Sequence, residues 1–323
     1  MLAKLNIKCN SLFNPNPVSF RTICRPQFRV VALFYSGRIS VVTADINYLV
    51  IGHVSMDRTP KGSIPGGTAI FASRVAKALG CRVAVVTSSA ADLDHESLFP
   101  GIQFKNVPAP VSTVFENTYH EGGRQQRVHS VAHPIESKHI PKSWRRASIV
   151  HLAPIADEID PGVIELFTNG LVGLTPQGWF RSWDDEGVVF AKSWQQAEET
   201  LPLAASVIMS LEDLADPNEL TIFRERARIL VLTEREAGCR VYCRGEERQF
   251  RAPAVHEVNP TGAGDIFAAA FFIRLHQTRG NPWAAAEFAN RVAAASVAQE
   301  TLDDKISAIS ELVSGEKETR FND

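Results

Sequence analysis

From Ile46 onward, short apolar runs recur along the chain, each closed by a glycine or a polar cluster. Tyr48-Leu49-Val50-Ile51 stops at Gly52, and Val83-Ala84-Val85-Val86, Ser148-Ile149-Val150-His151-Leu152 and Leu171-Val172-Gly173-Leu174 follow. Ala205-Ser206-Val207-Ile208 and Ile229-Leu230-Val231-Leu232 continue the series. Runs this short and this uniformly apolar predict strands buried on both faces. The clearest helix spans Thr68 to Leu79, with Phe71, Val75, Ala78 and Leu79 at helical spacing and Gly80 as its stop. The alternation predicts an α/β fold, a mostly parallel sheet with helices on both faces.

Two segments break this rhythm. Val111 to Val131 reads as two polar strands around a Gly122-Gly123 turn, a hairpin too polar for the central sheet and suited to a flap over a site. Residues 1–44 hold no Asp or Glu, carry Pro15, Pro17 and Pro26, and lack the alternation of the body. They predict an N-terminal extension that is dispensable or disordered, with organelle targeting as the alternative. The body is expected over residues 45–305, with the flap at 111–131 and a tail at 306–323.

Composition narrows the function. A chain of 323 residues with 45% hydrophobic and 22% charged positions is globular, and a net charge of −2 offers no basic field to nucleic acid. The longest apolar runs, Val30 to Tyr35 and Ile266 to Ile273, are too short to span a bilayer. Five cysteines without CxxC spacing suit a reduced, cytoplasmic chain.

The most informative run is Asn259-Pro260-Thr261-Gly262-Ala263-Gly264-Asp265, which leads into the apolar stretch Ile266 to Ile273. Small residues at 262–264 leave backbone amides unobstructed at a helix N-terminus, where orphan donors and the macrodipole attract anions. Asp265 falls in the first turn beside that anion, an awkward place for a carboxylate without a task. A dinucleotide fingerprint would need a third glycine where Phe267 stands, and no P-loop occurs. Nearer the start, Asp57 follows the first strand, and Gly66-Gly67 opens the Thr68 helix. Both are expected at the carboxyl ends of parallel strands, where ligands bind.

On these residues the chain resembles the PfkB, or ribokinase-like, carbohydrate kinase family, over roughly Ile46 to Glu300. Gly66-Gly67 through Leu79-Gly80 and Thr261 to Asp265 carry the likeness. The resemblance implies a three-layer α/β/α sandwich with a small β lid. It implies Asp265 as the catalytic base, Gly262, Ala263 and Gly264 as the anion hole, and Asp57, Gly66 and Gly67 as acceptor contacts. Thr233, Gly238 and Asn290 resemble the nucleotide site. ATP and Mg²⁺ are the implied cofactors, and some members also need a monovalent cation.

The departures are specific. Asn259-Pro260 replaces a common Asp-Thr, Phe71 replaces Asn, and Arg235 stands where the nucleotide loop usually has Gly. Ser210-Leu211-Glu212-Asp213 replaces the Asn-x-x-Glu magnesium element, leaving Asp213 as a shortened substitute acting through water. Only nine residues separate Asp57 from Gly67, so the lid segment inserted there in ribokinases is expected to be largely absent. The implied activity is ATP-dependent phosphorylation of a sugar or polyol by a monomer or homodimer. A nucleoside kinase and a non-catalytic ligand sensor are the alternatives.

Overall fold

The computed structural model describes residues 45–60, 62–120 and 123–319, and the backbone of three earlier strands. The chain divides into two compact units, Met1–Ala44 and Asp45–Asp323. In the first, β1 (Arg21–Arg25), β2 (Phe28–Tyr35) and β3 (Arg38–Val41) form an antiparallel sheet in that order. Part of the expected extension thus has strand structure. The run Val30 to Tyr35, weighed in the sequence only as a membrane candidate, is β-branched and aromatic and has the propensity of a strand.

The second unit is built on a nine-stranded sheet. In chain order its strands are β4 (Tyr48–Ile51), β7 (Val83–Ser89), β8 (Gln103–Pro108), β11 (Ile149–Leu152) and β12 (Leu171–Leu174). They continue with β15 (Ser206–Ser210), β16 (Ile229–Thr233), β17 (Cys239–Cys243) and β18 (Glu246–Phe250). The spatial order is β18-β17-β16-β15-β12-β11-β4-β7-β8. From β16 to β8 every pair is parallel, and β17 and β18 add an antiparallel edge. Each apolar run read in the sequence is one of these strands.

Strand β4 shows why both faces are covered. Tyr48 and Val50 enter one core and Leu49 and Ile51 the other, as period-two alternation requires. The first core packs under α1 (Thr68–Ala78), α5 (Ala263–Gln277), α6 (Pro282–Val297) and α7 (Leu302–Thr319). Asn281 caps α6 through the Trp283 and Ala284 amides at 3.1 and 3.2 Å, with Pro282 at the first position. The other face is covered by short helices and turns. The single-turn α2 (His95–Leu98) packs through Leu98 on the first core, while this face carries α3 (Ala197–Thr200), α4 (Leu220–Arg226) and several 3₁₀ turns. These close over a cluster of Trp179, Trp194, Phe180 and Phe223.

Two boundaries are corrected. Residues 306–319 of the expected tail belong to α7, whose Ile309 is fully buried and whose Leu312 and Val313 pack on the core, and 320–323 lie outside the described residues. The lid is also larger than the hairpin at 111–131. That hairpin is present as β9 (Thr113–His120) and β10 (Gly123–Ser130), although residues 121–122 at its turn lie outside the described residues. Residues expected to be a loop form a second hairpin, β5 (Ser55–Thr59) and β6 (Gly62–Gly66), giving a four-stranded lid of order β10-β9-β5-β6. The lid is therefore present between Asp57 and Gly67 despite the short spacing.

Candidate active site

Two helix N-termini converge at the carboxyl ends of the parallel strands. Gly67 caps α1 at φ 90°, and Gly262 caps α5 at φ 77°, both in the region that favours glycine. A Cβ on Gly262 would stand 2.4 Å from the Phe71 ring, so this turn accepts only glycine while Phe71 covers it. The Thr68 hydroxyl of α1 donates to Asp265 Oδ1 of α5 at 2.7 Å. The Ala263 amide returns to the Pro260 carbonyl at 3.0 Å and the Ile266 amide to Gly262 at 2.9 Å. Among the described residues, no acceptor in the chain takes the amides of Gly264 and Asp265. Gly264 faces open space. Of the expected anion-hole residues Gly262, Ala263 and Gly264, the Ala263 amide is thus already paired within the turn.

Burial pushes the Asp265 carboxyl up to about 6; the Thr68 hydroxyl and the Arg181 guanidinium pull it down, and Asp57 pushes it further up. A carboxylate that titrates near neutrality, beside orphan amides, can take a proton from a hydroxyl while an anion is held alongside.

The side expected to hold the acceptor comprises the lid and two loops. Asp57 on β5 lies over Gly66, where a Cβ would come within 2.6 Å of its Oδ2, and it accepts from the Ser55 hydroxyl at 3.4 Å. Asp57, Gly66, Gly67 and Asp265 are thus brought together as expected. Arg181 is a cation that no sequence pattern signalled. It begins β13 (Arg181–Trp183), donates to the Ile155 carbonyl at 2.8 Å and lies 5.4 Å over the Phe115 ring of the lid. Strand β13 pairs with β14 (Val189–Ala191), and their connection docks on β10 through Val128 N donating to Gly187 O at 2.8 Å. Below, the buried Glu158 carboxylate accepts from the amides of His53, Ile155 and Ala156 at 2.9, 2.9 and 2.7 Å.

The donor side is less open than the sequence implies. Thr233 ends β16 and donates to the Met209 carbonyl at 3.3 Å. Gly238, at φ 95°, has Phe250 O 2.1 Å from where a Cβ would stand. Asn290 is buried and its amide donates to Phe250 O at 2.8 Å, so it ties α6 to β18. Asp213 accepts from the Ser210 amide at 2.9 Å and from Gln177 at 3.2 Å, so both its oxygens already cap protein donors. Arg235, at φ 51°, pairs with Glu212 at 2.7 Å across the adjacent ends of β15 and β16. The loop into α5 exposes Val255 and Val258. Behind that loop, Lys305 of α7, a second residue no pattern signalled, donates to the carbonyls of Asn259 and Thr261.

Known proteins resemble this chain in sequence and in fold. Residues 186–308 match the pfkB family of carbohydrate kinases. A cytidine kinase of Thermococcus kodakarensis is 27% identical over 259 residues, 73% of this chain and 90% of that protein. A probable fructokinase-5 of Arabidopsis thaliana is 36% identical over 56 residues, 17% of each. A pyrophosphate-dependent kinase in the ribokinase family, complexed with a pyrophosphate analog and myo-inositol, superimposes with a TM-score of 0.69 at 20% identity. That match covers 80% of this chain and 98% of the other. A double mutant of the Vibrio cholerae O395 fructokinase, in fructose, ADP and potassium ion bound form, gives 0.64 at 19% identity over 83% and 99%. The chain shares the fold of these ribokinase-family kinases.

Proposed function

We propose that this chain transfers the terminal phosphoryl group of ATP to a hydroxyl of a sugar or polyol, with Asp265 taking the hydroxyl proton. The observation that carries the reading is the half-buried Asp265 carboxylate, fixed by Thr68 and set in the same helix turn as the unpaired Gly264 and Asp265 amides. Phosphoryl transfer asks little covalent chemistry of a protein. It needs an in-line acceptor, neutralised charge and one group to receive a proton late.

Asp57 and Arg181 supply an anion and a cation for the acceptor's hydroxyls, and the four-stranded lid excludes water from the transferred group. The amides at 264 and 265 steady the phosphoryl oxygens, each such donor being worth about 3 kcal/mol in the transition state. On the donor side, Val255 and Val258 offer apolar surface to a base, and Thr233 and Gly238 shape the strand end beneath it. Magnesium supplies counter-charge to the donor's phosphates when bound. Since Asp213 already spends its oxygens on Ser210 and Gln177, its part toward the ion runs through water.

The test is a screen of sugars, polyols and nucleosides with the purified protein, using ATP and pyrophosphate as donors. Turnover of a sugar or polyol with ATP is expected. A nucleoside acceptor is the second reading, favoured by the length of the match to the cytidine kinase. Ligand binding without turnover by any donor would leave the sensor reading standing instead.

A further inference from the structure

The phosphoryl-transfer scheme makes no use of Lys305, yet it is only 1% exposed. Its ammonium donates to Asn259 O at 2.5 Å and to Thr261 O at 3.0 Å. These carbonyls belong to the turn that delivers Gly262 and the open amides beyond it. Further bonds stitch the same turn to the junction of α6 and α7. The amides of Val258 and Asn259 both reach Val297 O, at 2.8 and 3.0 Å, and Asn259 Nδ2 reaches Glu300 O at 2.7 Å. Such stitching already fixes the backbone, so holding a chain in place does not by itself require a buried charge.

A buried ammonium is costly, and burial disfavours the charged form of Lys305 while Glu300 and Glu257 favour it. Leucine or methionine would fill the same volume without that cost. What they would lack is a positive charge on two carbonyls directly behind an anion site. Carbonyl oxygens hold a potassium ion in the same way, by replacing its hydration shell. The Vibrio cholerae fructokinase was solved with a potassium ion bound. A potassium ion does not fit on the Asn259 and Thr261 carbonyls while the Lys305 ammonium occupies them, because two unit charges would then be packed against the same oxygens.

We propose that Lys305 is an internal, covalently attached monovalent cation: it orients the 259–261 carbonyls and places a fixed positive charge behind the anion site, so that the protein works without added potassium. Lys305 is a positioning residue in this scheme. The rate measurement rests on the kinase reading above, and the melting measurement does not.

The experiment compares the purified full-length protein in potassium chloride and in tetramethylammonium chloride, whose cation is too bulky to enter, at an equal ionic strength of about 0.1 M. Wild type is expected to show the same initial rate and the same thermal midpoint in both. Lys305→Ala leaves two buried carbonyls unpaired and should lose about tenfold or more in rate in tetramethylammonium. Potassium or ammonium ions should restore part of that rate and raise that variant's midpoint. Lys305→Met, which fills the space, should lose rate without rescue. A wild-type rate or midpoint that rises specifically with potassium overturns the proposal, as does a Lys305→Ala protein that keeps the wild-type rate in tetramethylammonium. Should Lys305→Ala fail to fold, the wild-type comparison and Lys305→Met decide it. If the wild type turns over no acceptor, the kinase reading fails, and the midpoints still test the cation.

Discussion

The Thr68 hydroxyl donates to Asp265 Oδ1 at 2.7 Å, joining the first turns of two helices 197 residues apart in the chain. The bond favours the ionised carboxylate against the burial that opposes it. Removing it with Thr68→Val should therefore raise the Asp265 pKa above its present value of about 6. The acid limb of the pH–rate profile should move to higher pH, with a loss of about tenfold at neutral pH that shrinks as pH rises. A uniform loss at every pH would mean that Thr68 acts on packing alone.

Asp265→Asn removes the proton acceptor and should lower kcat by at least about 10². The same change should stabilise the fold. Asp265 has a folded pKa of about 6 against 3.8 for the free group. The native state thus holds the extra proton between these values, and stability falls as pH rises through that window. The Asn variant should melt above wild type at pH 8, with the gap closing toward pH 4. Equal midpoints at pH 8 would remove the argument for a desolvated carboxylate.

Asp57→Ala should raise the acceptor KM far more than the ATP KM, since Asp57 belongs to the lid strand facing Gly66 and lies away from the donor strands. Losing a charged hydrogen-bonding partner costs about 1.5–3 kcal/mol, a factor of about 10–100. Similar damage to both constants would mark Asp57 as a residue of the strand turn only.

Gly187 sits at φ 80°, and a Cβ there would stand 2.2 Å from Val128 O. Gly187→Ala should detach the β13–β14 connection from the lid and loosen the seat of Arg181. Amide hydrogen exchange should rise in β10 and the acceptor KM should increase, while α5 and α6 stay protected. Unchanged exchange in β10 would show that the lid does not depend on this contact.

His151 is buried between Tyr48 OH at 3.1 Å and Thr175 Oγ1 at 2.9 Å, and burial pushes its pKa from 6.5 down to about 3. The unfolded chain takes up a proton below pH 6.5 that the native state refuses, so stability is lost as pH falls from 6.5 toward 3. Urea unfolding should show a loss of about 2 kcal/mol from this group between pH 7 and pH 5. His151→Gln should flatten that slope, and an equal slope in the variant would assign the acid sensitivity to other groups.

What the chain discloses in advance depends on how each residue earns its place. Strands such as Leu171–Leu174 are legible because burial on both faces leaves no polar position to confuse the period. The Gly262 to Asp265 turn is legible because only small residues allow its backbone. The lid hairpin at 55–66 is not: nearly all of β6 is exposed, so no alternation marks it as a strand. Helix α7 does carry Ile306, Ile309, Leu312 and Val313 at helical spacing, a signal that a boundary drawn at 305 passes over. Arg181 and Lys305 are invisible for a different reason. Composition treats Arg and Lys as surface residues, and only the fold shows that one lies within electrostatic reach of Asp265 and the other is buried beneath its loop. Asn290 shows the converse, a residue at the expected spacing whose amide the Phe250 carbonyl has already claimed.

The buried Glu158 carboxylate gathers amides from two loops, at His53 and at Ile155-Ala156. The floor on which an acceptor would rest is thereby frozen before any ligand arrives. Little ordering entropy remains to be lost there on binding, and most of that loss falls on the lid above. An acceptor of the wrong shape therefore gains nothing from a floor that will not adapt to it. On the proposed reading, discrimination among acceptors would belong to this fixed floor, and the rate of their capture and release to the lid.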